Sequence, residues 1–267
     1  MNRSLYCSLL VLLLLLAPRL HAQDTLKLFA ELPFGSLAAW GSLRPGQLLL
    51  ADLDANLYLI DHQGQRLSAQ SLPSRVVLSE VHSRGGVQTL LFSVDAQQLF
   101  FIDRFLRLTR QLQIPFAFGN ITALAWAPDG SLRLWDSQAR RLLAWDMSST
   151  APQQLYYMQE NLPPVRQMHF VQNYLLLTDG KTYILFFDLL GNYIDKIYFH
   201  EPVEIGFWQE GYWLYENHRL RGVRLPSRLQ AFDVYFEQTS RILKILCLFP
   251  SFLSWDGTKL FFWLFQN

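Results

Sequence analysis

The sequence predicts an all-β, six-bladed β-propeller with four antiparallel strands per blade, and three observations carry that prediction. Short apolar runs end at Asp52, Asp95, Asp136, Asp179 and Asp256, with Asn217 in the remaining place, at intervals of 43, 41, 43, 38 and 39 residues; this is the period of a four-stranded blade. Between the runs stand hairpin signals such as Pro128-Asp129-Gly130, where Gly supplies the positive φ of a tight reversal. Residues 25–32 read as a strand without a partner, and the last repeat runs out of chain one strand short. Pairing the two closes the ring and removes the unpaired edges of an open sheet.

The elements follow in order. In blade one, 37–40 reads as the inner strand a, 48–52 as b and 56–61 as c, and His62-Gln63-Gly64-Gln65 turns the chain into strand d. Blade two repeats this with 76–81, 90–95 and 98–103, the last ending in Asp103. Blade three is the most regular: 121–126, the Pro-Asp-Gly turn, a run ending in Trp135-Asp136, Leu142-Leu143-Ala144-Trp145-Asp146, and a fourth strand at 154–157. Blade four has 165–170, 174–179, 183–188 and the turn Leu189-Leu190-Gly191-Asn192. Blade five diverges, with 203–207, 212–217, 220–224 and 231–236, and with Pro226 where earlier units carry Asp61, Asp103, Asp146 or Asp188. Blade six has 242–249, 252–256 and 259–265, and 25–32 completes it.

Residues 1–22 read as a secretory signal peptide: Arg3, an apolar run over 9–17, then Pro18 and Leu20-His21-Ala22. The run is too short to span a bilayer. Cleavage after Ala22 leaves 23–267 as one propeller domain, periplasmic or extracellular, expected to be monomeric and without a membrane span. It removes two of 23 basic residues and none of the 22 acidic ones, so the mature net charge is −1. That balance and export both exclude nucleic acid as a partner, since such proteins carry a basic excess. The one cysteine that remains, Cys247, lies in an apolar run and reads as a buried thiol.

Pro128-Asp129-Gly130-Ser131-Leu132-Arg133-Leu134-Trp135-Asp136, followed by Arg141-Leu142-Leu143-Ala144-Trp145-Asp146, resembles the NHL repeat, and Asp52, Asn56 and Asp61 of blade one fit the same pattern. The resemblance covers blades one to four in motif and the rest as architecture. It implies a six-bladed propeller that binds proteins or other ligands, or in some members performs lyase or lactonase chemistry at a central metal. The Ala22-Gln23 junction resembles exported proteins of the Bacteroidota.

One Asp per blade spreads these carboxylates around a ring, so they cannot converge on one cation, although carboxylates are hard-cation ligands. Asp52, Asp61, Asp95, Asp103, Asp136, Asp146, Asp179, Asp188 and Asp256, with Asn217, are expected to accept backbone N–H groups in turns. On the inner strands only Glu80, His82, His169, His200 and Glu204 could ligate a metal. They share no place in the repeats as read, which leaves Glu80, His169 and Glu204 as the nearest to a set, and no cofactor is expected. No nucleophile elbow, zinc-protease motif or phosphate loop occurs. Trp208 and Trp213 flank the a-to-b turn of the divergent blade, and Glu216, His218, Arg219 and Arg221 form its most charged stretch. Specialised contacts are expected where a repeat diverges, so these six are the candidate ligand-binding residues. The function expected is an exported protein-interaction module, with a cell-envelope complex as one setting for it, and with carbohydrate or small-ligand binding and metal-dependent lyase or lactonase chemistry as alternatives.

Overall fold

The computed structural model describes residues 24–84, 87–236, 242–248 and 251–265, with the backbone alone at 24, 25, 247, 248 and 265. The expected signal peptide and the Cys247 side chain lie outside the described residues. The chain forms six four-stranded antiparallel blades. Blade one is β2 (Leu37–Arg44), β3 (Gln47–Asp52), β4 (Asn56–Asp61) and β5 (Arg66–Ser71); blade two is β6 (Glu80–Arg84), β7 (Gln88–Ser93), β8 (Gln98–Asp103) and β9 (Leu108–Gln113). Blade three is β10 (Ile121–Trp126), β11 (Leu132–Asp136), β12 (Arg141–Trp145) and β13 (Gln153–Tyr157); blade four is β14 (Gln167–Val171), β15 (Tyr174–Thr178), β16 (Tyr183–Phe187) and β17 (Tyr193–Tyr198). Blade five is β18 (Glu204–Trp208), β19 (Gly211–Glu216), β20 (Arg219–Arg224) and β21 (Leu229–Tyr235). Blade six is β22 (Lys244–Leu248), β23 (Ser251–Trp255), β24 (Lys259–Phe265) and the N-terminal β1 (Asp24–Pro33).

The closure expected from the sequence is present. β1 runs antiparallel to β24 from Leu26 opposite Phe265 to Pro33 opposite Lys259, with a bulge between Leu28 and Ala30. The start of β1 also pairs in parallel with β21, Asp24 opposite Val234 and Thr25 opposite Tyr235. The first strand therefore ties blade six to blade five as well as completing it.

Alternate side chains of each strand face opposite neighbours, and apolar clusters fill the spaces between blades. Phe92 and Phe101 of blade two meet Leu134 and Trp145 of blade three, and Trp213 and Phe232 of blade five meet Phe252 and Phe261 of blade six. Leu253, Leu260 and Phe262 of blade six pack on Leu37, Leu48 and Ile60 of blade one, so the core runs around the whole ring.

Strand bounds differ from the sequence reading at the inner strands. Blade two's begins at Glu80, not at residue 76. Val76 and Leu78 alternate as strand residues would, but they belong to the approach segment and pack into the space between blades one and two. In blade five β19 ends at Glu216, opposite Arg219. Glu216 therefore occupies the strand-end place expected of Asn217, while Asn217 and His218 form the two-residue turn with φ of 49° and 63°.

Candidate functional site

The strand-end acids are turn acceptors in most blades. Asp52 accepts the amides of Asp54 and Asn56, the Asn56 side-chain amide and the Tyr58 hydroxyl. Burial alone raises its pKa, but the hydrogen bonds from Asn56, Tyr58 and Asp54 outweigh it and hold the carboxyl below the usual range. Asp136, 1% exposed, accepts the amides of Asn120, Gln138 and Ala139 and pairs with Arg141 at 2.9 Å. Asp179 accepts the amides of Lys181 and Thr182, and Asp256 those of Thr258 and Lys259. Asp61, Asp103, Asp146 and Asp188 do the same in the c-to-d turns; the Ser149 and Ser148 amides hold Asp146 at about 2. Blade two departs from this pattern. Its strand-end place is Ser93, whose hydroxyl accepts the Ala96 amide, and Asp95 stands two residues further on, exposed in the loop.

The blade-five candidates do not form a ligand platform. Trp213 is 5% exposed, sealed between blades five and six, so its ring has no face to offer a sugar. Arg219 is held by Asp233 at 2.8 and 2.5 Å, and Arg221 lies 3.8 Å from Glu216. These charges pair along the blade itself. His218 shapes the turn, where its carbonyl accepts the Phe236 amide. Of the six, Trp208 alone borders the cavity on the propeller axis.

That cavity is the axial channel, about 540 Å³ in volume and bordered by residues of all six inner strands. Strand register orders its wall into belts. In each blade one inner-strand residue pairs with the residue three places before Asp52, Ser93, Asp136, Asp179, Glu216 or Asp256, the equivalent places that close the six b strands. The inner-strand residues are Gly41 (opposite Leu49), His82 (Leu90), Ala125 (Arg133), His169 (Leu176), Gly206 (Trp213) and Leu246 (Leu253). Two residues earlier the corresponding belt is Ala39, Glu80, Ala123, Gln167, Glu204 and Lys244. The sequence reading, which gave these polar groups no common place, is thereby corrected: Glu80 and Glu204 are equivalent, and so are His82 and His169. The pairing of the strands sets these places, and the wrong start for blade two had hidden them.

Small residues in the His belt leave the lumen open. Ala125 stands between the two histidine blades, and the His82 and His169 rings approach to 5.9 Å between centroids. On its other side His169 stacks on Phe207 at 5.8 Å and 17°. His82 Nε2 lies 2.6 Å from Glu80 Oε2. Glu80 Oε1 is buried without a hydrogen-bond partner; the Leu124 amide nearby lowers its pKa but does not reach hydrogen-bond geometry. Burial pushes the Glu80 carboxyl up, and the His82 contact works against that.

His169 faces the lumen with much of its surface open, yet the blades surround it on every side. Desolvation by the surrounding blades lowers its pKa to about 4, with His82 adding to the effect. A neutral imidazole offers one N–H donor and one acceptor nitrogen. Glu204, also raised by burial, feels Lys181, and Lys244, lowered by burial, donates to the Ala38 carbonyl at 3.0 Å. Among the described residues no three His, Cys, Asp or Glu side chains are grouped to hold a metal ion. Glu80 and His169 are joined through His82, and Glu204 stands apart from them.

The wall between and beyond these belts is aromatic: Trp40, Trp126, Phe170, Phe207 and Trp208. Toward the a-to-b turns the channel wall includes Arg44 and Pro45 on one side and Gln209 and Glu210 on another. A volume within ~300–1,000 Å³, aromatic walls and a few convergent polar groups are the usual attributes of a small-molecule site. The His belt was missed in the sequence because each histidine is isolated there; a register-based alignment of the inner strands reveals it.

No protein-family model matches the chain, and no curated protein matches its sequence. Solved structures do match. One is the crystal structure of selenomethionine-substituted virginiamycin B lyase from Staphylococcus aureus, with a TM-score of 0.60 and 11% identity over 86% of this chain and 82% of that one. At that identity the likeness establishes the propeller fold and nothing about chemistry. No helix among the described residues is long and apolar enough to cross a membrane.

Proposed function

We propose that this protein is an exported binding propeller whose recognition centre is the axial channel, where it takes a small planar ligand. One observation carries the reading: a cavity of about 540 Å³ gathers Trp40, Trp126 and Phe207 around the neutral His169 and the Glu80–His82 pair. Aromatic faces supply apolar area and ring contacts. His169 and His82 supply hydrogen bonds that fix orientation. The structural neighbour is a lyase by name, but the donor sets among the described residues favour binding over metal-assisted elimination. The test is saturation-transfer NMR with 2-naphthamide on the wild type and on His169→Trp, whose larger ring fills the lumen. Transfer is expected for the wild type and not for a folded variant, and absence of transfer for both overturns the reading.

A second reading, docking of a protein partner on the face that bears the a-to-b and c-to-d turns, has its own support. Phe105 is 57% exposed, with Arg104 and Arg107 over its ring at 4.7 and 5.6 Å. Aromatic and Arg side chains of this kind are common interface anchors. A partner recovered from envelope extract by the wild type and lost by Phe105→Ser supports this reading; equal recovery contradicts it. Export itself is tested by N-terminal sequencing of the mature protein, which should begin at Gln23.

A further inference from the structure

Blade two carries four arginines at the face of the disc that bears the a-to-b and c-to-d turns. Arg84 ends β6, Arg104 and Arg107 belong to the turn from β8 to β9, and Arg110 is the third residue of β9. Register puts them near one height: Arg84 pairs with Gln88, Gln88 with Asp103, and Arg110 with Phe101, two residues before Asp103. Strands β6 to β9 lie side by side from the channel outward, so the four form a stripe along the edge of the blade. All four are exposed. Two exposed apolar residues stand among them, Val87 at 76% and Phe105 at 57%.

Among the described residues, none of these arginines has a carboxylate within ion-pair distance. The arginines that do are Arg133, Arg141, Arg219, Arg221, Arg224 and Arg228, all in blades three and five. Arg84 instead lies over the Trp126 ring at 5.6 Å with the Pro128 carbonyl 3.4 Å away, and Arg110 lies over Phe101 at 5.9 Å with the Met147 carbonyl 3.3 Å away. Arg104 and Arg107 lie over Phe105 at 4.7 and 5.6 Å. Rings and carbonyls steady these guanidinium groups without cancelling their charge. The one acid along this edge of blade two, Asp103, is committed to the amides of Phe105 and Arg107. Four arginines against one carboxylate leave the edge at a net charge of +3.

Resting on the docking of a protein at this face, we infer that the partner lays an acidic, extended segment of chain along blade two. The guanidinium fork matches a carboxylate, and Phe105 and Val87 add the apolar anchors that charge pairs alone do not supply. Three strand spacings separate β6 from β9, about 14 Å at ~4.8 Å each, which about four or five extended residues cover at ~3.3 Å apiece. A flat anionic surface fits less well. It would also meet Asp129, Asp146, Asp188 and Glu210, which stand in the turns of blades three, four and five on the same face, whereas a segment along blade two avoids them.

The experiment is isothermal titration with hexaglutamate at low salt, on the wild type, the double variant Arg104→Gln/Arg107→Gln and Arg224→Gln, each shown to be folded by a thermal melt. Arg224, paired with Glu210 in blade five, controls for the loss of any surface arginine. The wild type and Arg224→Gln are expected to bind alike and the double variant about tenfold more weakly, and added salt should weaken binding to the wild type. No binding of hexaglutamate, equal binding by wild type and double variant, or an equal loss in Arg224→Gln overturns the acidic segment. So does co-sedimentation of the wild type with vesicles of phosphatidylcholine and phosphatidylglycerol when hexaglutamate does not bind, which assigns the stripe to a lipid surface. The docking reading is decided separately, by recovery with Phe105→Ser: a partner lost by that variant and kept by the double variant leaves docking standing and the acidic segment overturned.

Discussion

His82 and His169 occupy the same register place two blades apart, and their rings meet at 5.9 Å across the channel. The repeat makes this possible by placing equivalent residues at one height, and Ala125 of the intervening blade leaves the space free. The candidate site thus comes from a belt of the repeat, not from its strand-end acids.

The depressed His169 pKa gives a signed expectation. The folded value, about 4, lies below the unfolded value of 6.5, so the neutral form favours the folded state. This contribution is complete above pH 6.5 and is lost as pH falls from 6.5 toward 4. Glu80, raised by burial, acts in the opposite sense, gaining as pH falls. NMR titration of the His169 ring protons should therefore give a midpoint well below 6.5. A midpoint at or above 6.5 contradicts the description of the site.

The strand-end acids should separate sharply on mutation. Asp136→Ala removes a buried acceptor of three amides and the partner of Arg141, and breaking such a pair costs about 3–5 kcal/mol. Asp95→Ala touches an exposed loop residue and should change stability by less than about 0.5 kcal/mol. Urea unfolding of the two variants checks the contrast, and equal losses contradict the assignment of Ser93 to the strand-end place.

Gly41→Ala should destabilise through the contact of blades one and two. The added Cβ lies 2.8 Å from Val81, and overpacking of this kind costs about 1–3 kcal/mol. Val81→Ala in the same chain should recover part of the loss. A Gly41→Ala protein as stable as the wild type contradicts the close approach of β2 and β6.

A chain that starts at Phe34 lacks β1 and leaves the edges of β24 and β21 open. The pairing from Leu26 to Pro33 is lost, together with the Leu26 side chain buried between blades five and six. Exposed edges invite association. Light scattering should show oligomers and the melting transition should fall or broaden; a monomer with an unchanged transition contradicts the closure.

The parts of this fold that were legible in the sequence are those written locally. Alternating apolar runs, a turn acid at each strand end and a surplus strand at 25–32 were enough to count blades and close the ring. The channel was not, because its wall depends on which residues face one another across blades. Val76 and Leu78 mimic a strand because their approach segment is itself packed between blades, and that displaced the reading of Glu80 and His82. Trp213 and the charged stretch of blade five drew attention by composition, yet one is core and the Arg219–Asp233 pair is internal. Divergence in that blade reflects its own packing as much as any contact outside it.

A small ligand in the channel should lie beside His169 and the aromatic wall. The most direct measurement is a crystal structure of the protein soaked in 6-bromo-2-naphthamide, with the bromine located by anomalous scattering. The expected result is a bromine peak inside the channel among Trp40, Trp126 and Phe207. Bromine found only on the outer surface of the disc, with the channel holding water alone, would contradict it.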